Sequence, residues 1–197
     1  MSEIDFDKFE FHKVVELGDD YHVHDFTTKD WVNEEINSEY TVGKYNEIRV
    51  NMYTTELFEG IRNVHIGLDL GAPVGTPVYA FADGVIFDCA YLPADGDYGH
   101  VIITKHELDG VSLWALHGHL DAKSIENKNP GDLVNSGDVL GWMGDEHENG
   151  GWPAHLHLQL SLIEPIDCDM PGVVSKSDLE HALSIYPDPQ KVVGKLY

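Results

Sequence analysis

Three short stretches of this sequence carry imidazole and carboxylate side chains at spacings suited to metal-assisted chemistry. The first is Ala154-His155-Leu156-His157-Leu158-Gln159-Leu160-Ser161-Leu162. Its alternation is strict, with leucines on one side and His155, His157, Gln159 and Ser161 on the other. A strand has this period of two when one face packs on a core and the other lines a wet groove. Same-face neighbours stand roughly 7 Å apart along the backbone, so two imidazoles can serve one reaction centre without both binding the metal. An isolated H-x-H is more often a plain solvent face. Its neighbours decide its meaning.

The second stretch is Val64-His65-Ile66-Gly67-Leu68-Asp69-Leu70. His65 and Asp69 share a face in strand geometry, but an ideal strand would hold them about 13 Å apart. One ion cannot be shared over that span, so the chain must bend between them, and Gly67 is the residue able to allow it. The third stretch is Leu113-Trp114-Ala115-Leu116-His117-Gly118-His119-Leu120, where His117 and His119 again share a face. One of them is a candidate for proton transfer or oxyanion stabilisation. Together the stretches offer His, Asp and His donors with a fourth zinc position left for water. That pattern belongs to a catalytic zinc site rather than a closed structural one.

These residues need a β framework. Candidate strands are Val64–Leu70, Pro77–Ala82, Gly84–Leu92, His100–His106, Val111–His119, Val139–Met143 and His155–Leu162, separated by turn signals such as Ala82-Asp83-Gly84 and Asn129-Pro130-Gly131. Short strands at this spacing point to a mainly β protein, an antiparallel sandwich or barrel-like sheet with short peripheral helices. The expected organisation is an N-terminal extension over 1–55, a β domain over 56–165 and a C-terminal tail over 166–197. Within the extension, which reads as irregular, Thr28 to Ile36 has a helical look and Asn46 to Tyr53 alternates like a strand. The tail is expected to hold one helix, capped by Ser177 and running through Ser184 with Leu179, Ala182 and Leu183 inward, and to carry no chemistry.

Bulk properties narrow the function classes. The 197 residues hold 12 Lys+Arg against 35 Asp+Glu, a formal net charge of −23. Such a surface repels phosphate backbones, which argues against nucleic-acid binding. It favours cationic substrates and concentrates metal ions, although solubility alone accounts for it. No apolar run reaches the roughly 18 residues of a membrane span, and the acidic start does not look like a secretory signal, so a cytoplasmic location is expected. Cys89 and Cys168 form no C-x-x-C pair and are expected as reduced thiols.

The order of motifs resembles the lysostaphin-type zinc endopeptidases, a duplicated-hybrid-motif-like β domain, from about Val64 to Leu162. The matching runs are His65-Ile66-Gly67-Leu68-Asp69, Ala72-Pro73-Val74-Gly75-Thr76-Pro77-Val78-Tyr79-Ala80, Ala82-Asp83-Gly84-Val85, Tyr98-Gly99-His100-Val101-Ile102-Ile103, His117-Gly118-His119-Leu120, Gly131-Asp132-Leu133-Val134 with Gly137-Asp138-Val139-Leu140-Gly141, and Pro153-Ala154-His155-Leu156-His157. The resemblance implies that His65, Asp69 and His157 ligate Zn2+ and that His119 and His155 are the catalytic pair. His119 rather than His117 is implied because the family pattern is aromatic-Ala-His-Leu and His119 precedes Leu120. The family's aromatic position is His117 here, and its usual Asn after Gly99 is His100; both bear on substrate preference. A substrate with small, often glycine-rich peptide bonds, peptide or peptidoglycan-like, is also implied.

The chemistry expected is zinc-assisted amide hydrolysis. No H-E-x-x-H occurs, which excludes the zincin helix. A non-catalytic metal-binding or regulatory module on the same scaffold is the alternative; such modules usually lose ligands, and every candidate is retained here. A biotinyl- or lipoyl-type carrier needs a lysine at a hairpin tip, and none lies between Gly131 and Gly151. Trp152 is read as either a flat wall of the groove or plain packing. One further pair, His22 and His24, could cover the groove or supply a fourth ligand, though an unrelated surface pair is the commoner meaning.

Overall fold

The computed structural model of the protein describes residues 4–197. In chain order the strands are β1 (Tyr21–Val23), β2 (Tyr40–Gly43), β3 (Glu47–Ile48), β4 (Arg62–His65), β5 (Leu68–Gly71), β6 (Pro77–Tyr79), β7 (Gly84–Leu92), β8 (Gly99–Leu108), β9 (Val111–Leu120), β10 (Leu133–Val134), β11 (Val139–Trp142), β12 (His155–Ser161) and β13 (Val173–Ser175). Three short helices join them, α1 (Ala122–Ile125), α2 (Leu179–Ile185) and α3 (Gln190–Val193). Among the described residues no helix is long and apolar enough to cross a membrane.

The architecture is mainly β. One sheet of eight strands runs β1-β2-β5-β12-β9-β8-β7-β10, flanked by a three-stranded sheet β13-β4-β3 and the pair β11-β6. Pairing is antiparallel except between β1 and β2. Leu156, Leu158, Leu160, Leu113, Ala115 and Ile102 face the main core on one side of the large sheet. Trp114, Leu116, Val101 and Ile103 face the other side, where they meet Cys168 and Met170 from the C-terminal segment.

That second layer corrects the expectation of a half-wet strand. β12 lies in the middle of the sheet, and from Leu156 to Ser161 every residue is buried. Gln159 and Ser161 lie beneath chain rather than along water, whereas the buried His157 and the partly exposed His155 line a cavity. Alternation reports which face a side chain takes, not whether another layer covers it.

Other local expectations change too. Val64–Leu70 is two strands, β4 and β5, in different sheets. Thr28 to Ile36 contains a short 3-10 turn at Asp30–Asn33 rather than a helix. Within Asn46 to Tyr53 the strand is limited to Glu47–Ile48, and Arg49 N and Val50 N beyond it bond to Asn63 O and Phe26 O. The extension is not irregular throughout: β1 and β2 extend the large sheet, and Ile4, Val14, Val15 and Val42 join its core. In the tail, Asp178 precedes α2 where Ser177 was expected, Leu183 points outward, and α3 follows Pro189. Cys89 and Cys168 are free thiols.

Candidate metal centre

β12 is antiparallel to β5 with His157 directly opposite Asp69. Directly opposed residues hold their Cβ atoms about 4.5–5.5 Å apart, close enough for side chains to meet at one point. His65 ends β4 in the adjoining sheet, and the Ile66-Gly67 step carries the chain from one sheet to the other. The bend required between His65 and Asp69 is therefore a change of sheet. Gly67 serves it through space rather than through a left-handed dihedral. It is not among the positive-φ glycines, and a Cβ there would overlap the His157 ring.

The outcome is a triangle of donor atoms. His65 Nε2 lies 3.1 Å from His157 Nδ1 and 3.2 Å from Asp69 Oδ1, and His157 Nδ1 lies 3.0 Å from Asp69 Oδ1. Tetrahedral zinc with bonds of about 2.0–2.1 Å holds such donors roughly 3.3 Å apart, so the three need only a slight adjustment to share one ion. The hydrogen bonds on the far side of each ring favour the same result. His157 Nε2 donates to Gln159 Oε1 at 3.2 Å, which leaves Nδ1 as a lone pair facing the triangle. His65 Nδ1 lies 2.9 Å from both Lys44 O and Arg49 Nη2, and it can donate to the carbonyl or accept from the guanidinium, but not both. Donation to Lys44 frees Nε2 for a metal.

Asp69 is held at its second oxygen. Arg49 Nη1 donates to Oδ2 at 2.6 Å, and Arg49 is itself buried, ion-paired to Glu47 at 3.4 Å and bonded to Tyr53 Oη at 2.9 Å. Burial would push the Asp69 carboxyl up, but the neighbouring His65 and Arg49 hold it well below the usual carboxylate range. Burial, with Arg49 adding to it, pushes the His65 imidazole down to about 4. Near neutral pH Asp69 is thus a carboxylate and His65 an unprotonated imidazole, the forms that ligate metal.

His119 and His155 stand beside this triangle. Their ring centroids are 4.3 Å apart, the His119 centroid is 6.2 Å from that of His157, and His155 Nε2 is 3.8 Å from Asp69 Oδ1. A carbonyl oxygen can only accept, so His119 Nδ1 donates to Asn149 O at 2.7 Å and His155 Nδ1 to Pro153 O at 2.7 Å. Each ring then carries its lone pair on Nε2. Burial lowers both pKa values, that of His119 further because His155 and His157 adjoin it. His119 also has a left-handed backbone, φ 64°, after a shift in the β8–β9 register. That conformation is costly for a non-glycine residue and is typical of functional positions. His117, two residues earlier, faces the opposite way, fully buried against β8 with Nδ1 3.3 Å from Ile102 O.

A cavity of about 840 Å³ opens over these residues, with Phe26, Trp31, Tyr53, Phe58 and Trp152 among its walls. Trp152 both lines this space and packs edge-on to Tyr53 at 6.0 Å. Sequence reading missed Arg49, Tyr53 and the Met170–Val173 segment, which also lines the cavity. The tail thus contributes to the site: Tyr98 Oη donates to Met170 O at 2.9 Å, and Ile66 N to Gly172 O at 2.9 Å. A lone arginine in an irregular-looking segment carries no pattern that would single it out. His22 and His24 do not join the triangle; they meet Glu34 instead.

The chain is 34% identical over 112 residues to the DD-carboxypeptidase/endopeptidase Mpg of Neisseria meningitidis, an alignment covering 55% of this chain and 23% of that protein. It is 30% identical over 95 residues to the peptidoglycan DD-endopeptidase ShyC of Vibrio cholerae, covering 48% of this chain and 19% of that one. The catalytic domain of lysostaphin from Staphylococcus simulans superimposes with a TM-score of 0.49 at 22% identity, over 79% of this chain and 98% of that domain. The chain thus spans no more than about a quarter of the length of these curated relatives. A family model described as Peptidase family M23 matches residues 63–167, the stretch that holds the donor triangle together with His119 and His155; the chain belongs to peptidase family M23.

Proposed function

We propose that this chain is a zinc-dependent peptidase that hydrolyses amide bonds in small-residue, peptidoglycan-type peptides. The observation that carries the reading is the convergence of His65 Nε2, Asp69 Oδ1 and His157 Nδ1 within 3.2 Å of one another, beside the imidazoles of His119 and His155 in fixed tautomers. His65, Asp69 and His157 would hold the zinc. When bound, it would lower the pKa of a water towards about 7 and polarise the scissile carbonyl.

The remaining steps fall to the chain's own side chains. His155 and His119 each present an unprotonated Nε2, so one can take the proton from the attacking water and return it to the departing amine. The other steadies the charge that develops on the carbonyl oxygen only when its own Nε2 carries a proton and so becomes a donor. Arg49 keeps Asp69 ionised and turned so that Oδ1 faces the other donors. The cavity's aromatic walls exclude water around the peptide and strengthen these polar interactions. The relatives named DD-carboxypeptidase/endopeptidase and peptidoglycan DD-endopeptidase support a cell-wall peptide substrate. Retention of both non-ligand histidines at the centre favours turnover over a purely binding module.

The test is metal analysis of purified protein together with a screen of peptidoglycan stem peptides and glycine-rich peptides, using wild type and His155→Ala. Bound zinc with cleavage by wild type alone supports the proposal. Bound zinc and no cleavage of any peptide would move the assignment to the non-catalytic module.

A further inference from the structure

Away from the donor triangle, a second set of metal-ligating side chains meets in the N-terminal segment. His22 lies on β1 and His24 just beyond it, where His24 N bonds to Val42 O at 2.9 Å. Their rings stand edge to face with centroids 4.9 Å apart. Glu34, after the 3-10 turn at Asp30–Asn33, closes the set: its Oε1 is 3.1 Å from His22 Nε2 and its Oε2 is 3.6 Å from His24 Nδ1. One carboxylate therefore faces two imidazole nitrogens.

A simple ion-pair reading leaves these nitrogens unexplained. His22 Nε2 and His24 Nδ1 are both shut off from solvent, and neither makes an aligned hydrogen bond despite the nearby carboxylate. A buried ring nitrogen without a partner is costly. Burial moreover disfavours the protonated form of His24. Two imidazoles and a carboxylate, with all donor atoms within 4.8 Å of one another, form a set that a borderline divalent cation satisfies. Glu34, about a third exposed, gives the ion a way in from solvent.

We propose that His22, His24 and Glu34 bind a second divalent transition-metal ion of the zinc class, which clamps β1 to the Glu34 segment. The position gives the clamp a structural consequence. The His24 ring stacks on Phe26 at 4.6 Å, the Arg49 guanidinium lies over Phe26 at 4.8 Å, and Arg49 holds Asp69. His24, Phe26 and Trp31 all line the cavity, so the ion fixes one wall of the cleft. This site does not depend on the hydrolytic reading, because none of its ligands belongs to the triangle.

The experiment is zinc titration of the full chain, read by metal stoichiometry and by thermal melting. Wild type is expected to bind two ions, while His65→Ala/His157→Ala and His22→Ala/His24→Ala each bind one. In the His65→Ala/His157→Ala background, zinc should still raise Tm, and adding Glu34→Gln should abolish that rise. Glu34→Gln also serves if the double alanine variant fails to fold, since it alters one solvent-side ligand. A single ion in wild type, or stoichiometry unchanged by both His22→Ala/His24→Ala and Glu34→Gln, would overturn the second site. Loss of hydrolysis with two ions still bound would count against the catalytic reading alone and would uphold the clamp.

Discussion

Arg49 Nη1 lies 2.6 Å from Asp69 Oδ2, whereas Asp69 Oδ1 faces His65 and His157. The guanidinium thus assigns the two carboxylate oxygens different tasks. It also comes from outside the stretch that matches the family, 63–167, so the metal centre borrows an orienting group from the N-terminal segment. Groups behind a ligand typically change metal affinity by about 10–100-fold when removed. Arg49→Met is expected to weaken zinc binding by that order while the protein stays folded, as measured by competition with a chromophoric chelator. An unchanged Kd would show that Asp69 orients itself.

Gly67 makes a sharper steric prediction. Its backbone is not left-handed, so alanine is acceptable on dihedral grounds, but the added methyl would overlap the His157 ring. The ring must move, and the triangle loses one corner. Gly67→Ala is expected to lower zinc affinity at least about 10-fold and to cost roughly 1–3 kcal/mol in stability through overpacking. Denaturant unfolding with and without zinc separates the two effects; wild-type affinity in the variant would mean that the ring has room to yield.

Period-two patterns made the strands around the triangle legible, since Gly84–Leu92 coincides with β7 and the Ala154–Leu162 alternation with the core of β12. The need for a bend at Gly67 followed from distance alone. What stayed hidden depends on pairing between distant segments. The approach of Gly172 to the His157 ring requires knowing that the tail folds back over β12. Arg49 was invisible because its meaning lies in burial beside Glu47 and Asp69, not in any local pattern. Short strands such as β1 and β13, three residues each, leave too little periodicity to detect and form because the sheet edges accept them.

His119 and His155 should separate binding from turnover. Neither belongs to the donor triangle, and each is held by a backbone carbonyl, Asn149 O and Pro153 O. A single positioned acid or base contributes about 10²–10⁴-fold to a rate. His119→Ala and His155→Ala are each expected to lower kcat by that order and keep near-stoichiometric zinc at the centre, whereas His157→Ala loses metal and activity together. Metal content and steady-state kinetics on the same preparations decide the matter. If His155→Ala emptied the centre of zinc, His155 would have to be counted as a ligand.

His117 offers a stability test that does not touch the metal centre. It is fully buried, and burial, with His106 beside it, pushes its pKa down to about 3 from an ordinary value of 6.5. The folded state therefore resists protonating this ring, whereas the unfolded chain accepts the proton below about 6.5. Between those two values the unfolded state binds more protons, so stability rises with pH; the stabilisation is complete above the upper value and drains away as pH falls towards the lower. One such group contributes a slope of about 1.4 kcal/mol per pH unit. His117→Phe fills the position with a ring that cannot titrate. Its unfolding free energy, from urea melts across the window from about 3 to 6.5, should lose roughly that slope relative to wild type. Parallel curves for the two proteins would place the acid sensitivity on other groups, His106 first among them.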